Sequence, residues 1–233
     1  MASSVELEGS RVLVLGGSGV LGGLIATELD RSGSRVMLAG RDSEQLQQQA
    51  TRIGPSVPSV VFDLAIPSHA SRVVDTAAQH LGGLDGVVNA AGIVAFGPLA
   101  ETDDATLDTL VAVDFLGPLR VIRSALPHLE GGFVVSISGV VAETPVAGMA
   151  AYSAVKAAMS TATVALGREV RRRGIHVLDA RPPHTETGLA GHPIAGVTPA
   201  KPPGLDPALV AGIIVSGLAV GRRELPSEVF LSA

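Results

Sequence analysis

Short, almost wholly apolar runs alternate along the chain with longer stretches where apolar residues return every three or four positions. Arg11–Leu15, Arg35–Ala39, Ser59–Phe62, Gly86–Val88, Phe133–Ile137 and Ile175–Leu178 predict strands. A strand with one wet face alternates polar and apolar residues, so runs lacking alternation predict burial on both faces. Helices are predicted near 20–32, 43–52, 68–81, 103–129 and 150–173. Such alternation of strand and helix predicts a doubly wound parallel sheet, three-layer α/β/α, with right-handed crossovers. From Pro182 to Pro203 prolines and glycines are too frequent for a helix, which predicts a long irregular loop. Asp206–Leu218 then reads as one more helix and Glu228–Leu231 as a last strand. No repeat or composition shift divides the chain, and one core serves chains up to roughly 250–300 residues. A single domain over 1–233 is expected, with a substrate loop at about 183–205.

Composition removes several classes of function. With 46% hydrophobic residues and a mean hydropathy of +0.41, the chain is not of the disordered kind. It has no cysteine, so disulfides, thiolate metal sites and a Cys nucleophile are excluded. Nor does any His/Asp/Glu spacing suggest a metal. A net charge of -5 and 3% aromatic residues argue against a nucleic-acid partner. The one basic cluster, Arg171–Arg173, falls at a predicted helix C-terminus, where it complements the dipole. The longest charge-free stretches, Gly86–Ala100 and Pro207–Gly221, are interrupted by Gly or Pro. They fall short of the about 20 apolar residues a membrane span needs. The acidic N-terminus runs straight into a strand without a signal-peptide pattern, so a cytoplasmic protein is expected.

After the first predicted strand comes Gly16-Gly17-Ser18-Gly19-Val20-Leu21-Gly22, and then a helix. Gly17, Gly19 and Gly22 satisfy the Rossmann-type dinucleotide fingerprint, and Gly16, Gly19 and Gly22 a close variant. Chemistry requires glycine here for a tight turn, a bare backbone beside the pyrophosphate and close helix–strand packing. The helix N-terminus would then present free N–H groups to the phosphates. At the end of the second strand Gly40 leaves the tip bare and Arg41 follows it. An arginine there suits a 2′-phosphate, which favours NADP(H) over NAD(H). Asp42 stands where the next helix wants its N-cap.

Tyr152 is the sole tyrosine, and Lys156 is one of only two lysines. Four apart on a helix, the two side chains share one face. Random placement would produce that spacing in roughly one or two such chains per hundred, so the pair is informative. A phenol with a pKa of about 10 is a poor base at neutral pH, and a nearby ammonium is expected to lower it.

Together these residues resemble the short-chain dehydrogenase/reductase family, from the glycine turn to about Thr187. Tyr152 and Lys156 match its YxxxK motif, and Asn89-Ala90-Ala91-Gly92 its NAG-type motif. Asp63 with Leu64 resembles the adenine contact; Pro182, Thr185 and Thr187 resemble the segment that holds the nicotinamide amide. The resemblance implies hydride transfer between NADP(H) and a carbonyl or alcohol, with Tyr152 protonating the carbonyl oxygen. Lys156 would hold the ribose and tune the tyrosine. It also implies a homodimer or homotetramer. The chain departs from the family at several places. The serine column falls on Gly139, with Ser138 one place earlier, and the helix asparagine falls on Asp114. Leu15 stands before the glycines in place of threonine, Val20 displaces a glycine, and Pro183 replaces the Gly of Pro-Gly. Ser138 would reach the site if the strand end bulged. These departures leave open an alternative, a cofactor-binding protein with weak or no turnover. His184 and His192, in the loop, read as loop polar groups.

Overall fold

Seven parallel strands form one sheet in the computed structural model, which describes residues 4–232. In chain order the strands are β1 (Arg11–Leu15), β2 (Arg35–Gly40), β3 (Ser59–Val61), β4 (Gly86–Asn89), β5 (Phe133–Ile137), β6 (His176–Ala180) and β7 (Glu224–Leu225). Their spatial order is β3-β2-β1-β4-β5-β6-β7, so the winding reverses between β1 and β4. That reversal opens a crevice at the carboxyl ends of β1 and β4, where ligands of doubly wound folds sit.

Alternation along each strand feeds two separate cores. Leu13 and Leu15 of β1 join Val87 of β4 and Val134 of β5 on one face. Val12, Val14, Val88 and Val135 join the other. The first face is covered by α3 (His69–Leu81), α4 (Asp104–Val111), α5 (Gly117–Ala125) and α6 (Ala150–Glu169). The second is covered by α1 (Val20–Arg31), α2 (Ser43–Ile53), α7 (Pro207–Ala219) and α8 (Ser227–Leu231). The edge strand β3 has no fully buried residue, and its Val61 points to solvent.

Two expectations are corrected. The apolar run Glu228–Leu231 is helical, part of α8, and the last strand is the two-residue β7 before it. Pro226 lies between them: it has no N–H to extend the ladder, and it stands immediately before the first helical residue. The helix expected over 103–129 is broken into α4, a π-helical turn at Ala112–Leu116, α5 and a 3₁₀ turn at Leu126–His128. Pro118 has no N–H to return to the carbonyl of Asp114 four residues earlier, so regular α-bonding fails there. α6 likewise ends at Glu169, and Arg171–Arg173 form a 3₁₀ turn in which Arg173 pairs with Glu130 at 2.9 Å.

The loop after β6 is irregular, as expected, apart from a 3₁₀ turn at Leu189–Gly191. It is fastened at two places. At its base Thr185 bridges to Leu205, and farther out Ala195 bridges to Ala95. No helix among the described residues is long and apolar enough to cross a membrane, and no group of His, Asp or Glu there could hold a metal ion.

Candidate active site

The glycine turn is held against the sheet by backbone bonds. Gly16 and Gly17 donate to Ala39 O at 2.8 and 3.0 Å, and Gly19 donates to Gly16 O at 2.9 Å. Gly16 has φ +75, and a Cβ there would lie 2.7 Å from the backbone of Ala91. A side chain is therefore excluded twice, by conformation and by space. At Gly22 a Cβ would lie 2.2 Å from Gly16 O, which is the close helix–strand approach the motif demands. α1 begins after Gly19 with no side-chain cap and no acidic residue in its first turn. Its first N–H groups thus lack protein partners and keep their positive potential.

The tip of β2 is shaped around Ser18, whose Oγ would lie 2.7 Å from a Cβ on Gly40. Arg41 next to it is exposed, and Asp42 is occupied as the α2 N-cap, accepting from Glu44 and Gln45 at 3.0 Å each. Asp63 is half-buried and accepts from Ala65 N–H at 2.9 Å, beside the buried Leu64. The carboxyl end of β4 supplies the opposite wall. Asn89 is buried with Oδ1 unpartnered, Ala90 N–H donates to Leu15 O at 3.1 Å, and Ala91 meets the glycine turn.

Gly92 links this wall to the Tyr–Lys pair. A Cβ at Gly92 would lie 3.2 Å from Lys156 Nζ and 3.4 Å from Asp114 Oδ1. Lys156 Nζ stands 5.7 Å from the Tyr152 ring centroid and donates to Ile137 O at 3.2 Å. Tyr152, Lys156 and Asp114 are all buried. Asp114 Oδ1 accepts from Ile93 N–H at 2.9 Å, while its Oδ2 has no partner.

Burial controls the ionisation of this cluster. It pushes the Tyr152 phenol above its ordinary value, outweighing the attraction of Lys156, and a charge on Asp114 would push the same way. This reverses the expectation that the neighbouring ammonium lowers the phenol's pKa: a phenolate loses too much hydration in so closed a site. Burial opposes the charge on Lys156 as well, while negative charge on Asp114, Tyr152 or Asp179 favours it and raises its pKa. Burial likewise raises Asp114 against the pull of Lys156 and the Ile93 N–H.

Ser138 is positioned otherwise than the bulge idea requires. Its hydroxyl is buried and donates to Asp179 Oδ1 at 2.6 Å. Ser160, one turn of α6 beyond Lys156, donates to Asp179 Oδ2 at 2.6 Å, and Arg181 binds the same oxygen at 2.7 Å. A fully buried carboxylate competes strongly for that hydroxyl, so Ser138 is tied into a structural network. Arg181 also holds Glu143 at 2.5 Å and Glu224 at 2.8 Å. Gly139, in the serine column, has φ 79 and ψ 163, a region essentially confined to glycine.

Of the loop residues, Pro182 is buried, and Thr185 and Thr187 are half-buried. The Thr185 hydroxyl donates to Pro183 O at 2.9 Å, and Thr187 Oγ1 accepts from Leu189 N–H at 3.4 Å. His184 is also half-buried and lies 3.3 Å from Glu186, whereas His192 is exposed.

Sequence reasoning missed Asp179, Arg181, Glu143 and Ser160. A signal existed: Asp179 and Arg181 are charges two apart at the end of an apolar strand, and such charges must find partners. It also missed Ile93 and the docking of the loop on Val94 and Phe96, which rests on backbone bonds that leave no mark in side-chain chemistry. Ile194 N–H donates to Val94 O at 2.8 Å and Phe96 N–H to Ala195 O at 2.9 Å.

The family model described as short chain dehydrogenase matches residues 10–194. An uncharacterized oxidoreductase of Staphylococcus aureus (strain MW2) is 29% identical over 210 residues, 88% of this chain and 89% of that protein. Among solved structures, a dehydrogenase/reductase from Sinorhizobium meliloti 1021 superposes with a TM-score of 0.84 at 31% identity, covering 96% of this chain and 95% of its own. A short chain dehydrogenase from Burkholderia cenocepacia J2315 in complex with NADP has a TM-score of 0.84 at 28% identity, covering 98% and 100%.

Proposed function

This chain belongs to the short-chain dehydrogenase family, and from that premise we propose that it is an NADP(H)-dependent oxidoreductase of small or moderately apolar carbonyls and alcohols. The observation that carries the reading is the continuity of the site. Ala91 closes on the glycine turn and Gly92, its neighbour, lies against Lys156, so a dinucleotide cradle runs directly into the buried Tyr152–Lys156 pair.

The residues fit such a cofactor. Gly16, Ser18, Gly19, Val20, Leu21 and Gly22 would receive the pyrophosphate at the uncapped end of α1. Ser18 and Arg41 beside the bare Gly40 would take a 2′-phosphate, and Asp63 with Leu64 the adenine. Asn89, Ala90, Ala91 and Gly92 would line the middle, and Pro182, Thr185 and Thr187 the carboxamide end. That the Burkholderia cenocepacia relative is in complex with NADP supports this cofactor. When bound, the nicotinamide supplies or accepts the hydride.

Tyr152 does the proton chemistry in this proposal. Its raised pKa keeps the phenol protonated at neutral pH, so it enters carbonyl reduction as an acid. As the proton leaves for the carbonyl oxygen, the ammonium of Lys156 faces the developing phenolate and stabilises it. Ser138 supports Asp179 here rather than the reacting oxygen. Gly139 therefore leaves one donor fewer at that oxygen, a loss typically worth about 3–4 kcal/mol, or roughly 10²–10³ in rate. Turnover is slowed and survives.

The test is NADPH oxidation across a panel of apolar aldehydes and ketones, with Tyr152→Phe beside the wild type. The expected loss is roughly 10²–10⁴-fold in kcat at unchanged NADPH affinity. Equal rates for the two proteins would refute the mechanism, and better use of NADH than NADPH would refute the cofactor assignment.

A further inference from the structure

Asp114 is buried, and its two oxygens are treated unequally: Oδ1 accepts the Ile93 N–H at 2.9 Å, and Oδ2 has no partner. The nearest cation does not supply one: Lys156 donates to Ile137 O, and no hydrogen bond joins it to Asp114 Oδ2. An ionised carboxylate is acceptor-only on both oxygens, so one N–H leaves it badly under-satisfied and desolvated. A protonated carboxyl has an acceptor on one oxygen and an O–H donor on the other, which is the pattern of an amide.

The bond to Ile93 reaches further than one residue. Val94 and Phe96, which follow Ile93, exchange backbone hydrogen bonds with Ile194 and Ala195 of the loop after β6. Asp114 therefore anchors the strip on which that loop is seated.

We propose that Asp114 is a positioning residue that works as a neutral carboxylic acid, one oxygen fixing Ile93 and the loop-seating strip while the charge of Lys156 stays available to Tyr152 and the cofactor. The second half of this statement rests on the catalytic reading above; the protonation and the anchoring do not.

Among the surrounding charges Lys156 favours the ionised carboxyl, and burial opposes it. From α6 Lys156 and Tyr152 face it, and Asp179 reaches it only through Lys156 while bound to Arg181. On α4 and α5, Asp104, Asp108 and Arg123 are exposed and Arg120 is half-buried. The strip after β4 carries no charge, and Asp63 near Leu64 is tied to Ala65. Burial raises the carboxyl's pKa against the pull of Lys156 and Ile93.

Folding that raises a carboxyl's pKa stabilises the protein below the unfolded value, about 3.9, and loses that stabilisation as pH climbs through the folded value. Asp114→Asn keeps the acceptor for Ile93 and removes the titration. We expect the Tm of the cofactor-free variant, relative to wild type, to rise with pH between about pH 4 and pH 9, widening by at least about 3 °C. A pH-independent difference, or a variant that loses ground as pH rises, would overturn the proposal by marking an ionised, paired carboxylate. If the variant does not fold, carbon-13 NMR of aspartate-labelled wild type decides: one carboxyl titrating well above the others supports the proposal, and its absence overturns it. Neither readout requires activity, so failure here is separable from failure of the catalytic reading.

Discussion

Replacing Lys156 by Met tests the electrostatics of the proposed mechanism, because Met fills a similar volume without the charge. The ammonium lies 5.7 Å from the Tyr152 ring centroid in a buried site. At an effective dielectric of about 20, a full negative charge on the phenolate at that distance gains about 3 kcal/mol. Carbonyl reduction places most of that charge on the tyrosine oxygen in the transition state, so kcat should fall about 10²-fold. The same loss should move the pKa of the rising limb of the oxidation reaction's pH profile up by about two, since one pKa step corresponds to about 1.4 kcal/mol. Steady-state NADPH consumption gives kcat, and alcohol oxidation across pH gives the profile. Binding of NADPH followed by fluorescence separates lost ribose contacts from lost charge stabilisation. A variant within about threefold of wild type in kcat, with an unmoved profile, would refute the view that Lys156 governs Tyr152.

Two further outcomes follow from the same geometry. Arg41→Ala should raise KM for NADPH by roughly 10–10² while leaving that for NADH unchanged, since charge-assisted hydrogen bonds contribute about 1.5–3 kcal/mol; equal effects on both cofactors would dismiss the 2′-phosphate contact. Gly139→Ser should lower Tm by about 2–12 °C in a thermal melt, because the backbone at φ 79, ψ 163 costs a side chain roughly 1–3 kcal/mol. A variant as stable as wild type and faster would show that the glycine column imposes no conformational demand.

The opening glycine turn and the Tyr152–Lys156 pair were legible in the sequence because each depends on local spacing. A strand, a turn and a helix N-terminus follow one another along the chain, and residues four apart on a helix share a face wherever the helix lies. The doubly wound sheet was legible for the same reason: unalternating apolar strands between amphipathic helices leave few other arrangements. Local reasoning failed at 224–231, where an apolar run fits strand or helix alike and Pro226 decides between them. It failed again inside 103–129, where the break depends on a missing donor at Pro118.

The sequence by itself determined which chemical groups are available: one phenol, one lysine four residues on, a glycine in the serine column and an aspartate in the asparagine column. What those groups do was decided by tertiary structure. Ser138 is held by Asp179, 41 positions away in the chain, which no spacing rule brings to it. Tyr152 keeps its proton because α6 buries it, although its nearest sequence partner pulls the other way. Hydrogen-bond partners and desolvation belong to the packed neighbourhood, and that neighbourhood is assembled from strands and loops far apart along the chain.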